Sequence, residues 1–177
     1  MSPVAEIKRN EWIEWSKAIL IAVIVAFLLR SFVFSTSVVE GESMEPTVSD
    51  GERIVFNKFA YIVGKPDRGD VVIIKRPFKN YVKRIIALPG ETIEMKNHTL
   101  YIDGSAYDQV YISEEAKKKT GNFGPYEIPA KNYFVMGDNR NNSLDSRSFG
   151  FIEIDQIVGK VDLKYWALEE EQLVAVP

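Results

Sequence analysis

Hydrophobic positions follow two different patterns along the chain. Residues 18–29 form an unbroken apolar run. A helix extended from Trp15 to Phe34 would contain about 20 residues and span roughly 30 Å, the hydrocarbon thickness of a bilayer. Beyond this helix the apolar positions fall into short runs instead. The pattern predicts a single transmembrane helix within residues 1–35, followed by a separate β domain over residues 36–177.

The residues flanking the apolar run suit a membrane interface. Arg30 interrupts the run near its far end, where a long side chain can reach the headgroups. Aromatic residues stand at both ends: Trp12, Trp15, Phe32 and Phe34. Two alternatives remain open. The run is short enough for a buried helix of a soluble protein, or it could belong to a cleaved signal peptide with Ser35-Thr36-Ser37 as the small residues.

Basic residues near the run predict its orientation. Lys8, Arg9 and Lys17 precede the run, and no Lys or Arg lies between Arg30 and Arg53. Because positive charge accumulates on the cytoplasmic side, we expect a cytoplasmic N-terminus and an extracytoplasmic β domain. The predicted protein is therefore a single-pass protein of the cell membrane, with the lipid bilayer as one partner.

The second part of the chain reads as many short strands without helices between them. Such a pattern is typical of an antiparallel sandwich or a barrel-like fold. Lys96-Asn97 and Asp103-Gly104 are typical hairpin turns, and the continuous run Val71–Ile74 predicts a strand buried on both faces. The predicted strands are rich in β-branched and aromatic residues: Arg53–Phe56, Val71–Ile74, Tyr81–Leu88, Thr92–Met95, Leu100–Ile102, Tyr133–Met136 and Ile157–Trp166.

Residues 113–129 differ from this pattern. Their charged residues, Glu114, Glu115 and Lys117 to Lys119, could form one exposed helical turn, and glycine and proline follow. We interpret the segment as a solvated surface insertion.

Composition narrows the function classes. The net charge is −3 and no basic stripe is present, so the sequence does not indicate a nucleic-acid partner. Cysteine is absent, which excludes disulfides, thiolate zinc sites and a cysteine nucleophile. His98 is the single histidine. It falls in a polar hairpin turn, so a Ser/His/Asp triad is a weak alternative and an exposed turn residue is the simpler interpretation.

Ser43 and Lys83 are the candidate reactive residues. Ser43 follows the apolar segment within Gly41–Thr47, and Lys83 lies in an apolar strand-like run. A serine hydroxyl needs a base, and a lysine can serve if burial keeps its amine neutral. Taken alone, Ser43 could be a turn residue before Pro46, and Lys83 could guard a sheet edge. Arg84 is expected on the opposite strand face, where its charge reaches water.

A third polar block, residues 137–147, lies between two apolar runs. Its simplest interpretation is a polar loop with a local ion pair between Asp145 and Arg147. The order of the three blocks, serine, lysine and polar loop, resembles bacterial type I signal peptidases, and the resemblance extends to about Val161. Met44, Pro46 and Thr47 match the family motif around the serine.

The resemblance implies a role for each residue. Ser43 would be the nucleophile and Lys83 the general base, with no metal or cofactor. Ser143 would hydrogen-bond the Lys83 amine and orient it. Asp145 and Arg147 would brace the loop, and the neighbouring residues Asp138, Asn139 and Arg140 would shape the site.

This chain departs from the motif of some family members at one position. Some members carry a serine two residues before the nucleophile, where this chain has Gly41. The oxyanion would then depend on backbone N–H groups, including that of Ser43. Other members, chiefly from Gram-positive bacteria, also have glycine there.

The implied substrates are signal peptides of exported preproteins, with small Ala-X-Ala residues before the cut. Shallow apolar pockets select such residues by excluding larger ones. Segments 37–42 and 80–83 could pair with an extended substrate. The candidate pocket walls are Val39, Met44, Tyr81 and Val82, although core packing explains the two valines equally well.

Three alternative functions differ from this prediction. A self-cleaving regulator of the repressor type shares the Ser/Lys arrangement but needs a DNA-binding helix-turn-helix. A non-catalytic, membrane-anchored β-module could bind exported proteins. A specialised peptidase could process a single client.

Overall fold

A long helix begins the computed structural model, which describes residues 4–165 and 174–175. Helix α1 spans Val4–Val33 and forms most of one compact unit, Met1–Ser35; the second unit is Thr36–Pro177. Large apolar side chains of α1 are exposed, including Trp12 and Phe27. Over the part of the chain whose placement is described, no helix is both long and apolar enough to cross a membrane. The side chains of Arg30 and Phe32 lie outside the described residues.

The second unit is mainly β, and every strand pair with a described register is antiparallel. One sheet has the order β1-β2-β11-β3-β4-β9-β10, with β12 paired to β11, and the other has the order β7-β6-β5-β8. The strands are β1 Phe34–Val38, β2 Arg53–Asn57, β3 Val71–Lys75, β4 Asn80–Ala87, β5 Thr92–Lys96, β6 Thr99–Ile102, β7 Ser105–Tyr107, β8 Phe123–Glu127, β9 Asn132–Met136, β10 Ile152–Glu153, β11 Ile157–Tyr165 and β12 Val174–Ala175.

Short helices connect some of these strands. Helix α2 (Ala60–Val63) follows β2, α3 (Glu114–Lys119) follows β7, and α4 (Ser146–Phe149) follows β9. A single 3₁₀ turn, Ile154–Gln156, precedes β11.

Most of the predicted strands agree with the structure to within one or two residues. Only Trp166, the predicted last residue of β11, lies outside the described residues. The predicted turn at Lys96-Asn97 sits one residue later, because Asn97 and His98 carry the positive φ angles of 49° and 64°. Asp103 and Gly104 form the second turn as predicted, with φ of 49° and 75°.

Interpreting residues 113–129 only as a surface insertion was wrong for their second half. The exposed helical turn is present as α3, but β8 pairs with β5 and belongs to the second sheet. Phe123 packs against the buried cluster of that sheet, and Ile128 is part of the cluster. Because Gly124 and Pro125 are not typical strand residues, the sequence pattern does not predict this strand. An edge strand nevertheless tolerates both residues.

The buried strand β3 separates two apolar clusters. Val71 and Ile73 belong to one cluster with Met44 and Ile54. Val72 and Ile74 belong to another, so burial on both faces is confirmed. Strand β4 lies between β3 and β9, with Lys83 opposite Val72 and Arg84 opposite Val71. Lys83 and Arg84 therefore lie on an interior strand of the sheet.

Candidate active site

The serine and the lysine meet across the domain. Lys83 Nζ lies 2.6 Å from Ser43 Oγ in a hydrogen bond between residues 40 positions apart. A second bond, 2.9 Å long, runs from Nζ to the carbonyl oxygen of Val82. The ring of Tyr81 lies on the same amine, with its centroid 5.5 Å from Nζ. A serine hydroxyl held against a primary amine can lose its proton to that amine when the amine is neutral.

The surroundings of Lys83 favour the neutral amine. The residue is only 1% exposed. Burial lowers the pKa of Lys83 to about 8, although the carboxylates of Asp145 and Asp138 act in the opposite direction. The alternative in which Lys83 guards a sheet edge is wrong, because β4 is an interior strand. With this pKa, roughly one amine in ten carries no proton at pH 7.

The expectation that Arg84 reaches water was wrong. Arg84 is 1% exposed and forms a buried ion pair with Asp138, with Nη2 2.8 Å from Oδ2. Thr47 donates a hydrogen bond of 2.5 Å to the same carboxylate. Arg84 also donates to the carbonyl oxygen of Gly69 at 2.7 Å. Partners from three segments draw the side chain inward, and a strand pattern cannot reveal partners so distant in sequence.

This network joins the three blocks that carry the chemistry. Thr47 follows the serine, Arg84 follows the lysine, and Asp138 belongs to the polar block. Breaking a buried pair from one side typically costs about 3–5 kcal/mol. The pair therefore holds the serine turn, strand β4 and the polar block in one fixed relation. The sequence does carry a signal for this ion pair: Arg84 is a second basic residue in a strand of otherwise buried residues.

Asn139 ties the polar block directly to the serine turn. Its backbone N–H donates to the carbonyl oxygen of Ser43 at 3.1 Å. Its side-chain amide donates to the carbonyl oxygen of Glu42, also at 3.1 Å. Arg140 is buried and donates to the carbonyl oxygen of Gly137 at 3.0 Å. These bonds fix the backbone on which Ser43 stands.

The ion pair between Asp145 and Arg147 is confirmed. Arg147 Nη2 lies 2.7 Å from Asp145 Oδ2, and Nε lies 2.8 Å from Oδ1. Asp145 also caps α4 through the N–H of Arg147 and accepts the N–H of Gly137. Burial raises the pKa of Asp145, but hydrogen bonds and charge from Arg147 outweigh it, so the pKa lies below its ordinary value. The carboxylate therefore stays ionised and shapes the loop.

Ser143 does not make the hydrogen bond expected of it. Its Oγ is buried and makes no hydrogen bond to the Lys83 amine, and it lies beside the Asp145 carboxylate, whose pKa it helps to lower. It packs instead on the Cα of Gly137. A Cβ at Gly137 would collide with Ser143 Oγ and with the carbonyl oxygen of Ser43. Residue 137 must therefore be glycine for the polar block to lie against the serine turn.

The backbone around Ser43 leaves one donor available. Within the described residues, the N–H of Ser43 donates to no acceptor. By contrast, the N–H of Gly41 donates to Asp50 at 2.7 Å. Gly41 has a φ of +99° and open space where a Cβ would stand. The free N–H of Ser43 can serve an oxyanion, and Gly41 adds no side-chain donor.

A cleft of about 600 Å³ surrounds the serine and the lysine. The segments predicted to line it, 37–42 and 80–83, both do so. Val39, Tyr81 and Val82 are among the lining residues, whereas Met44 is 1% exposed and packs in the core behind them. The cleft also includes residues that were not predicted: Asp50, Ile73, Lys79, Asn142 and Leu144.

His98, the alternative general base, does not line this cleft. His98 is exposed in the β5–β6 turn and borders a different surface hollow, with Thr99 and Asp108. Among the described residues, no group of three or more His, Asp or Glu side chains could hold a metal ion.

An antiparallel β domain with a serine hydroxyl bonded to a buried lysine amine has the geometry of a Ser/Lys hydrolase. The sequence matches the signal peptidase family, peptidase S26, over residues 12–166. This chain belongs to that family and is a serine peptidase.

Individual relatives agree with the family. Signal peptidase I from Bacillus licheniformis is 46% identical over 92% of this chain and 93% of its own length. Signal peptidase I T from Bacillus subtilis is 46% identical over 94% of this chain and 91% of its own. A solved signal peptidase I from Enterococcus faecalis V583 is 35% identical, covers 55% of this chain and 97% of that one, and superposes with a TM-score of 0.49.

Proposed function

We propose that this protein is a membrane-bound signal peptidase that removes signal peptides from exported preproteins, with Ser43 as nucleophile and Lys83 as general base. The observation that carries the proposal is the 2.6 Å hydrogen bond between Ser43 Oγ and a buried lysine amine. Family membership supports the substrate class.

The first half of the reaction acylates Ser43. The neutral amine of Lys83 takes the hydroxyl proton while Oγ attacks the scissile carbonyl carbon. The developing negative charge on the carbonyl oxygen is stabilised by the N–H of Ser43. The ammonium then gives its proton to the leaving amine, and the C–N bond breaks.

The second half releases the signal peptide. A water molecule gives a proton to the neutral Lys83 amine and attacks the ester carbonyl carbon. The C–O bond to Ser43 breaks, and the proton returns to Oγ. The cycle ends with the starting protonation states, so one lysine serves both halves.

Substrate selection follows from the cleft. An extended signal peptide would run between residues 37–42 and 80–83, forming main-chain hydrogen bonds. Val39, Val82 and Ile73 line the cleft. Val39 is 5% exposed, so only a small part of its side chain faces the cleft. We expect these apolar walls to accept alanine and to reject larger side chains, as in Ala-X-Ala sites.

The polar block orients the base in this proposal. The Lys83 amine makes two hydrogen bonds, to Ser43 and to the carbonyl oxygen of Val82, whereas an ammonium group can donate three. The buried Oγ of Ser143, which makes no hydrogen bond to the amine in the structure, is the proposed third partner. Asp145 and Arg147 keep the loop in place, and Asp138, Asn139 and Arg140 hold its backbone against the serine turn.

We further propose that α1 anchors the enzyme in the cell membrane. Its apolar residues 18–29 carry no charge, and side chains such as Ile19, Ile21 and Phe27 are exposed along it. Leaving so much apolar surface in water is unfavourable. The basic residues before the run favour a cytoplasmic N-terminus and an extracytoplasmic catalytic domain.

Preprotein cleavage by the purified full chain tests the catalytic assignment. Ser43→Ala should lower the rate by roughly 10⁴-fold or more, and Lys83→Arg by at least about 100-fold, since a guanidinium keeps its proton. Wild-type activity should rise with pH through about 8, the pKa of Lys83.

The matched controls are Ser105→Ala and Lys96→Arg, which alter exposed residues outside the cleft. Both should cleave at the wild-type rate, and all four variants should melt as cooperatively as the wild type. Near-normal cleavage by folded Lys83→Arg would eliminate Lys83 as the base, and a signal peptide left intact by the wild type would eliminate the function.

A further inference from the structure

The connection between β3 and β4 presents an unusual surface. We call residues 75–80 the β3–β4 tip. Phe78 at its apex is 101% exposed, as open to water as a phenylalanine can be. Pro77 beside it is exposed as well. The ring therefore projects from the domain and covers no core.

Positive charge surrounds the exposed ring. Lys75, Arg76 and Lys79 flank Phe78, and no Asp or Glu occurs between Asp70 and Glu91. Two of the three cations are held by aromatic rings. The guanidinium of Arg76 lies 4.6 Å from the centroid of Phe149, and Lys79 Nζ lies 5.2 Å from that of Tyr81. The tip therefore presents one apolar ring among three positive charges, two of which are held in place by aromatic rings.

We propose that the β3–β4 tip is a second membrane contact of this enzyme, separate from α1. Phe78 enters the interfacial region of an anionic bilayer, and Lys75, Arg76 and Lys79 lie against the lipid phosphates. Phenylalanine is among the apolar side chains that bury at the boundary between headgroups and acyl chains, and each basic side chain near an anionic surface strengthens binding about fivefold. The contact needs no partner of complementary shape, which suits a projecting tip better than a protein interface would.

A comparison within the chain supports the choice of lipid. Val110 is also highly exposed, at 83%. Its charged neighbours in sequence are acidic, Asp108 and Glu114. In space, Val110 borders a hollow of mixed charge that includes Arg68, Lys160 and Asp70. The tip has basic residues alone and is therefore attracted more strongly to an anionic surface.

The contact has a consequence for catalysis. Strand β4 leads from the tip directly to Tyr81, Val82 and Lys83, and only five positions separate Phe78 from the base. Since a strand rises about 3.3 Å per residue, the cleft would lie within roughly 17 Å of the headgroups. The tip would hold the cleft at the height where a membrane-held substrate emerges. This inference goes beyond the proposed function and does not depend on how α1 is placed.

Site-specific labelling of the full chain tests the contact directly. Because the chain has no cysteine, Phe78→Cys and Val110→Cys each accept one environment-sensitive NBD label. In vesicles containing phosphatidylglycerol, the label at position 78 should be blue-shifted and quenched by doxyl lipids. The label at 110 should remain in water, and vesicles of phosphatidylcholine alone should weaken the signal at 78.

Three results would overturn the proposal. Quenching at 78 that is no stronger than at 110 would show that the tip stays in water. Equal quenching in both lipids would remove the role of the basic residues. A spectral change at 78 that appears only when preprotein is added would make the tip a protein contact.

Cleavage of two different substrates supplies a second test. An unfolded variant would lose activity on both substrates, so it cannot produce the expected loss on one alone. Phe78→Asn and Lys75→Gln should lower kcat/KM for a preprotein in phosphatidylglycerol vesicles several-fold. Neither should change kcat/KM for a short peptide in detergent. Lys118→Gln, at an exposed lysine of α3, is the matched control. Equal loss on both substrates would place the effect in the fold or the cleft and overturn the proposal.

Discussion

At the scale of single residues, Lys83 is destabilising where it stands. Its amine is buried, so protonation costs free energy that an exposed lysine does not pay. The lowering of its pKa from 10.5 to about 8 corresponds to about 3 kcal/mol. Such a cost is typical of functional groups, whose environments are tuned for activity at the expense of stability.

Replacing this lysine should therefore stabilise the fold. Below pH 8 the folded state must carry a buried ammonium, and the full cost applies. Between pH 8 and 10.5 the unfolded chain binds more protons than the folded one, so wild-type stability rises with pH as the cost disappears. We expect Lys83→Met to unfold at higher denaturant near neutral pH, by up to about 3 kcal/mol, and the gain to vanish above about pH 10.5.

Urea unfolding of the full chain in detergent across this pH range measures the effect. Lys96→Met, at an exposed lysine, is the matched control and should change stability little at any pH. A Lys83→Met protein no more stable than the wild type at neutral pH would mean that the ammonium is well solvated.

At the scale of elements, the polar block works as a clamp. Asn139 bonds the serine turn, Asp138 bonds strand β4 through Arg84, and Asp145 pairs with Arg147 to fix the start of α4. Each of these contacts holds backbone in the neighbourhood of Ser43 and Lys83. The closest approach in the clamp occurs at Gly137, where the loop touches Ser43.

A single methyl group at this contact should misplace the nucleophile. We expect Gly137→Ala to lower the cleavage rate by at least about 100-fold, since small displacements of reacting groups have effects of that size. It should also destabilise the domain by about 1–3 kcal/mol, because the new Cβ overlaps Ser143 and the Ser43 carbonyl.

Gly121→Ala offers the matched comparison, since nothing lies within 4 Å of its added Cβ. Cleavage assays and thermal melts of both variants would decide. If Gly137→Ala kept wild-type activity, the polar block would not position Ser43.

At the scale of the whole molecule, the chain consists of two compact units, Met1–Ser35 and Thr36–Pro177. The residues that line the cleft, Ser43 and Lys83 among them, belong to the second unit. The proposed anchor would act by raising the local concentration of enzyme at the membrane where its substrates arrive.

Cysteine labelling in intact cells tests the proposed orientation. Because the chain has no cysteine, Val110→Cys should react with a membrane-impermeant maleimide from outside. Ser2→Cys should react only after the cells are permeabilised, since the basic residues before α1 favour the cytoplasm. The reverse labelling pattern would contradict the orientation, and labelling of both without permeabilisation would contradict a spanning helix.

Local pattern was sufficient for most of the fold. Alternation, β-branched runs and turn residues predicted seven strands and their approximate ends, because these signals arise within a few neighbouring residues. The strands β1, β7, β8, β10 and β12 were not predicted. In β8, Gly124 and Pro125 carry no strand signal, and only pairing with β5 orders them. The order of strands in the two sheets also depended on contacts between distant segments.

The candidate site shows the same division. The sequence singled out Ser43, Lys83 and residues 137–147 because these three blocks, in this order, resemble a known family, whereas local pattern alone left a turn and a sheet-edge lysine open. Only the tertiary structure decided that Lys83 is buried on an interior strand, that Arg84 turns inward to Asp138, and that Ser143 makes no hydrogen bond to Lys83. Burial and pairing of charges depend on groups dozens of residues apart, so no local pattern can contain them.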